Sequence, residues 1–160
     1  MVPILEPEVL FDGTHARVRS RAVIAKALTI LMRELDEHGV DRTGVIVKTA
    51  MALSGKATGK MDAPEEVAED TLGALLEAVP KDVPGIVFLS GGQTPEQSMQ
   101  NLAAITKEAK AKHAPWPLTF SFSRAFQDEA LDIWKGEDAN VPAAREAFLK
   151  RLKEAKAALS

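Results

Sequence analysis

Lys48 closes the apolar run Val45-Ile46-Val47 and stands equidistant in the sequence from two other polar strand ends, Glu6-Pro7-Glu8 and Ser90-Gly91-Gly92. An amine at the point where a buried strand emerges is suited to attack on a carbonyl, provided partial burial lowers its pKa from roughly 10.4 and frees the lone pair. Glu6 and Glu8 share one side of an extended segment. Two carboxylates placed together repel each other's charge, so one tends to keep a proton and serve as general acid. Ser90-Gly91-Gly92 leads into a capped helix and presents backbone N–H groups that favour an anion. Arg124, with Ser123 before it, opens the helix after the next strand, and its guanidinium suits a phosphate clamp with the glycine turn. Each feature also has an ordinary reading: a lysine snorkelling to solvent, solvated glutamates, a βα turn using glycine for positive φ.

The elements that must position these groups alternate along the chain. Val2 to Leu5 is a short strand, followed by an amphipathic helix from about Thr14 to His38 with Val18, Ala22, Ala25, Leu28, Leu31, Met32 and Leu35 at helical spacing. Gly39 is its expected left-handed cap. Val45 to Val47 is the second strand, and a Gly/Ser/Lys-rich loop, Ser54 to Lys60, leads to Asp62, which has capping-box spacing with Glu65 and should open a helix to about Val79. Ile86 to Leu89 is the third strand, and Thr94-Pro95-Glu96-Gln97 opens a helix to about Lys112. Leu118 to Ser121 is the fourth strand, with a helix from near Ser123 to Gly136, and Asn140 caps a last helix to about Leu159.

Strands apolar on both faces, alternating with amphipathic helices, indicate parallel strands joined by right-handed crossovers. A doubly wound sheet is complete at about this length, whereas an eight-stranded barrel needs roughly 250 residues. Length therefore favours the open sheet. The position of the polar groups favours the barrel, because Glu6, Lys48, Ser90 and Arg124 all lie at or just after strand C-termini, which in a barrel converge on one mouth. In barrels the common phosphate site is formed by the loops after the last two strands, and the glycine turn and Arg124 follow the last two strands of this chain.

Composition narrows the function classes. With 46% hydrophobic and 27% charged residues in 160, the chain reads as a single soluble domain spanning 1–160. The net charge of −3, from 20 basic and 23 acidic residues spread along the chain, argues against nucleic-acid or membrane partners. The absence of cysteine fits a reducing compartment, and neither a signal-peptide pattern nor a long apolar run is present, so a cytoplasmic protein is expected. His15, His38 and His113 fall in helix or loop surroundings, and no His/Asp/Glu group has metal-ligand spacing, so neither metal nor cofactor is expected.

The segments VPILEPEVLFDG, GVIVKTAM, PGIVFLSGGQTPEQSMQNLAAI and PWPLTFSFSRAFQ, in this order and at these spacings, resemble class I fructose-bisphosphate aldolase over essentially all 160 residues. The resemblance implies an α/β fold of parallel (β/α) repeats: the C-terminal half, four βα units, of a TIM (β/α)8 barrel plus a C-terminal helix. It implies Schiff-base cleavage of fructose 1,6-bisphosphate, with Lys48 the imine-forming lysine, Glu6 its acid/base and Glu8 a supporting glutamate. Ser90, Gly91 and Arg124 then hold the C1 phosphate of the sugar phosphate substrate, with Gly92 and Ser123 beside them.

Departures from the family pattern are specific. Thr49-Ala50 follows Lys48 where the animal enzymes usually have Pro-Asn, and Ser123 stands where they have glycine. The aspartate that acts in C3–C4 cleavage, and further lysines, belong to the family's first four strands. The chain also has no tyrosine, whereas the animal enzymes use a C-terminal one to protonate the enamine. Four strands do not close a barrel, so a homo-oligomer or a complementary half-barrel is the expected partner. The alternative function is a non-catalytic phosphate-binding half-barrel that needs that partner. Two further alternatives are a different Schiff-base lyase, transaldolase-like in type, and a structural oligomer without ligand.

Overall fold

In the computed structural model, which describes residues 1–159, four short parallel strands alternate with five helices. In chain order the elements are β1 (Ile4–Leu5), α1 (Arg17–Glu37), β2 (Ile46–Thr49), α2 (Pro64–Ala78), β3 (Ile86–Phe88), α3 (Pro95–Ala111), β4 (Leu118–Phe120), α4 (Arg124–Trp134) and α5 (Val141–Ala157). The strands lie in the order β1-β2-β3-β4. A doubly wound sheet reverses strand order at a switch point. This sheet does not, and its consecutive helices pack side by side, α1 on α2 and α2 on α3. Monotonic order with neighbouring helices is the singly wound arrangement of a (β/α) barrel, so the topology overrules the count that favoured an open doubly wound sheet.

Strand alternation decides which groups face the helices. Val45, Val47 and Thr49 are buried, whereas Ile46 and Lys48 on the opposite face are only partly so. In β3 the same holds for Ile86 and Phe88 against Val87. The helix-covered face carries the core, which joins these residues to Ile24, Leu28, Met32, Val67, Leu75, Leu102 and Ile105. Apolar runs had suggested burial of both faces. The other face is instead open among the described residues, with Ile4 and Thr119 exposed, and a cavity of about 420 Å³ lies on it between Val2, Ile46, Val87 and Thr119.

Helix ends follow local chemistry in some places and tertiary chemistry in others. α1 stops at a Schellman motif, with Gly39 at φ +65, Val40 N–H donating to Leu35 O at 2.8 Å and Gly39 N–H to Asp36 O at 3.1 Å. The Thr94 hydroxyl accepts from Gln97 N–H at 3.2 Å, as its capping sequence predicts. Asp62 does not cap α2, whose N-cap is Ala63 with no side-chain bond. Asn140 precedes α5, but its side chain donates to Trp134 O at 3.2 Å and does not cap that helix.

β4 and α4 are tied by an aromatic cluster. The Phe120 and Phe126 rings meet edge to face at 5.3 Å, Phe122 joins both, and Phe148 on α5 reaches Phe126 at 6.4 Å. Arg151 of α5 is 12% exposed and bridges Glu96 on α3 at 2.8 Å and Glu129 on α4 at 2.9 Å. The last helix thereby fastens the two helices whose first turns flank the polar mouth.

Candidate active site at the strand ends

Leu5 is paired with Val47 in the sheet, so the next residue along two parallel strands sets Glu6 beside Lys48. Lys48 Nζ lies 2.9 Å from Glu6 Oε1. The lysine side chain is 20% exposed and the glutamate 38%, so the pair is sheltered by the sheet yet reachable from the open face. A carboxylate in hydrogen-bond reach of an ammonium is the acceptor an amine needs before it attacks a carbonyl. Glu8, two residues on, is exposed and forms no ion pair with Lys48.

The next strand leads into the glycine turn. Leu89 N–H donates to Thr49 O at 3.0 Å, which places Ser90 directly beside the continuation of the Lys48 strand. Gln93 N–H closes the turn on Ser90 O at 3.3 Å, with Gly92 at φ +78. Gly91 and Gly92 also lack room for a side chain, since an added Cβ at either would overlap the Phe11 ring. The Gln93 side chain accepts from Asn101 Nδ2 at 2.7 Å and reaches Met51 Sδ at 3.6 Å, joining the turn to α3 and to the segment just after Lys48.

Arg124 arrives from the other side. Ser121 N–H bonds to Phe88 O at 2.8 Å, so the residues before α4 run alongside the glycine turn. Ser90, Gly91, Gly92 and Arg124 line one cavity of about 320 Å³ together with the first turn of α3 at Thr94 and Pro95. A glycine turn and a helix N-terminus beside a guanidinium are a combination of groups suited to an anion. Ser123 lies outside the lining, and its hydroxyl donates to Gln127 Oε1 at 3.0 Å.

Four contributors were not among the residues expected from sequence. Lys56 and Asp128 line the same cavity as Arg124, Phe11 shapes its glycine turn, and Asp62 clasps the loop that carries Lys56. The buried Asp62 carboxylate accepts from Ser54 N–H at 2.6 Å and from Ser54 Oγ at 2.9 Å, with Lys60 Nζ at 3.2 Å. Burial pushes the Asp62 carboxyl up, but the Ser54 and Lys60 interactions together outweigh it and hold the group below its ordinary value. For Lys56 the usable signal was its place in the loop after a strand C-terminus, the side of a barrel where sites are built.

The sequence matches the class-I fructose-bisphosphate aldolase family, described as glycolytic, over residues 1–160. It is 44% identical over 153 residues to cytosolic fructose-bisphosphate aldolase 6 of Arabidopsis thaliana, covering 96% of this chain and 42% of that protein. Fructose-bisphosphate aldolase B of Gallus gallus is 44% identical over 151 residues, covering 94% of this chain and 41% of the relative. The solved fructose-bisphosphate aldolase of Plasmodium falciparum, in complex with TRAP and a small-molecule inhibitor, superposes with a TM-score of 0.93 at 37% identity, over 99% of this chain and 45% of that one. The chain thus spans about two fifths of the length of its curated relatives.

Proposed function

The chain belongs to the class-I fructose-bisphosphate aldolase family, and on that premise we propose that it supplies the Schiff-base and phosphate-holding part of a glycolytic lyase. The reaction is cleavage of fructose 1,6-bisphosphate to dihydroxyacetone phosphate and glyceraldehyde 3-phosphate. The observation that carries this reading is the Lys48–Glu6 pair at 2.9 Å, one strand away from a pocket built for an anion.

In the proposed sequence Glu6 takes the ammonium proton and Lys48 Nζ adds to the C2 ketone. Glu6 returns a proton to the carbinolamine oxygen, which leaves as water, and an iminium joins Nζ to C2. Loss of the C4 hydroxyl proton then breaks C3–C4. Its electron pair moves into the iminium to give an enamine, and glyceraldehyde 3-phosphate departs. Protonation at C3 and hydrolysis release dihydroxyacetone phosphate and the free amine. By resemblance, Glu8 supports the imine site and the aspartate that acts in C3–C4 cleavage belongs to strands outside this chain. Ser90, Gly91, Gly92 and Arg124 hold the C1 phosphate, and remote binding energy aligns the carbonyl.

Borohydride reduction in the presence of dihydroxyacetone phosphate tests the chemistry. A mass increment on Lys48, absent from Lys48→Arg, is the expected result, and an unmodified Lys48 rejects the Schiff-base reading.

A second reading, a phosphate-binding half-barrel that acts only with a partner half, is favoured by the two open sheet edges among the described residues. The partner is then a second copy of the chain or a complementary set of strands. No helix among the described residues is long and apolar enough to cross a membrane, and the Arabidopsis relative is named as cytosolic. We propose the cytosol here as well.

A further inference from the structure

We infer that Lys56 is a second cationic ligand of the phosphate, and that it makes the anion pocket net positive. The inference rests on reading that pocket as a phosphate site. Three ionisable side chains line it: Lys56, Arg124 and Asp128. Arg124 and Asp128 share the first turns of α4, four residues apart, so their charges offset one another at the pocket wall. Without Lys56 the lining sums to zero, a poor environment for a phosphate ester carrying about −1.5 to −2. With Lys56 it is positive by one charge, before the glycine-turn and helix N–H dipoles are counted.

The segment that carries Lys56 is fixed relative to the pocket. Lys56 N–H donates to Phe11 O at 2.9 Å, Gly55 N–H to His15 O at 2.8 Å and Ala57 N–H to Gly13 O at 3.0 Å. Phe11 itself fills the space behind Gly91 and Gly92, so one residue holds both the lysine's backbone and the glycine turn. A second cavity is lined by both Lys56 and Asp62, a competing carboxylate. That carboxylate already takes two bonds from Ser54 and one from Lys60, and faces Arg17 at 3.7 Å. Among the described residues Lys56 is in no ion pair, which leaves its ammonium available to an incoming anion.

Titration of the full chain with inorganic phosphate and with dihydroxyacetone phosphate, followed by calorimetry at fixed ionic strength, tests this. Lys56→Gln is expected to weaken both ligands about three- to tenfold, Lys56→Arg to restore most of the loss, and Asp128→Asn to tighten binding. The Lys56→Gln loss should shrink as salt is added. If Arg124→Ala weakens binding while Lys56→Gln leaves it unchanged, the role of Lys56 is overturned and the phosphate site stands. If neither ligand binds the unsubstituted chain, both are overturned.

Discussion

The ring of Phe11 occupies the space that a side chain on Gly92 would need: a Cβ there would come within 2.7 Å of Phe11 Cγ, and one on Gly91 would overlap the ring edge. The loop after β1 therefore dictates glycine in the turn after β3. Gly91→Ala, at ordinary φ, should cost about 1–3 kcal/mol by overpacking and weaken phosphate binding. In a Phe11→Ala background the same substitution should cost less than half as much. Gly92→Ala should stay costly in both backgrounds, because φ +78 is itself unfavourable to a side chain by about 1 kcal/mol. Urea denaturation of the double-mutant cycle reads all of these, and equal Gly91→Ala costs in the two backgrounds would dismiss the steric account.

Glu6 is expected to act on the rate of imine formation more than on affinity. Its carboxylate is 2.9 Å from the Lys48 ammonium, within reach of the proton that must leave and return. Glu6→Gln keeps shape and hydrogen-bonding reach but removes the base, so borohydride trapping with dihydroxyacetone phosphate should slow about 10²- to 10⁴-fold. Calorimetric affinity for inorganic phosphate should change little. Trapping at the original rate would remove Glu6 from the proton transfers.

Asp62 should make part of the fold's stability dependent on acid. Its folded-state pKa is depressed, so its contribution is present in full above the unfolded value near 3.8 and is lost as pH falls through the lower folded value. Asp62→Asn should therefore cost about 1–3 kcal/mol at pH 7, where it breaks a buried, charge-assisted clasp on Ser54. The difference from the unsubstituted protein should narrow below about pH 4. Denaturant titrations at pH 7 and pH 3 check this, and a gap that widened on acidification would contradict the sign. The clasp closes the loop bearing Lys56, so Asp62→Asn should also weaken phosphate binding.

The alternation of strand and helix, the Gly39 stop and the Thr94 cap were legible in the sequence because each is local. Short apolar runs punctuated by glycine and proline mark parallel strands, and a threonine followed by proline marks a helix start. Asp62 was misread for the opposite reason. It has capping spacing with Glu65, but the folded chain brings Ser54 to it across a loop, and a buried two-bond clasp wins over an exposed cap. Thr14 to Ala16 carry helical periodicity yet stay outside α1, because the carbonyls of Gly13 and His15 are taken by Ala57 and Gly55 of another loop.

The candidate site divides along the same line. Lys48, Glu6, Ser90 and Arg124 were visible as polar residues ending strands or opening helices. Lys56 was hidden in a Gly/Ser/Lys-rich loop, since what places it is backbone bonding of that loop to Phe11 and Gly13. Phe11 carried no sign of its role, because the glycines that need it lie two strands away.

Among the described residues the sheet ends in two unpaired edges, β1 bonded only to β2 and β4 only to β3. Its uncovered face holds Ile46 and Val87 in the middle, Ile4 at 53% exposure and a cavity of about 420 Å³. Backbone donors along open edges and apolar side chains on an open face both gain by association. At micromolar concentration the isolated chain should scatter light as a particle of at least twice its 17.2 kDa. Val87→Asp places a charge at the centre of the open face, so it should lower that mass while leaving the helical circular-dichroism signal in place. A well-folded monomer with full activity would show that four strands suffice and would end the case for a partner.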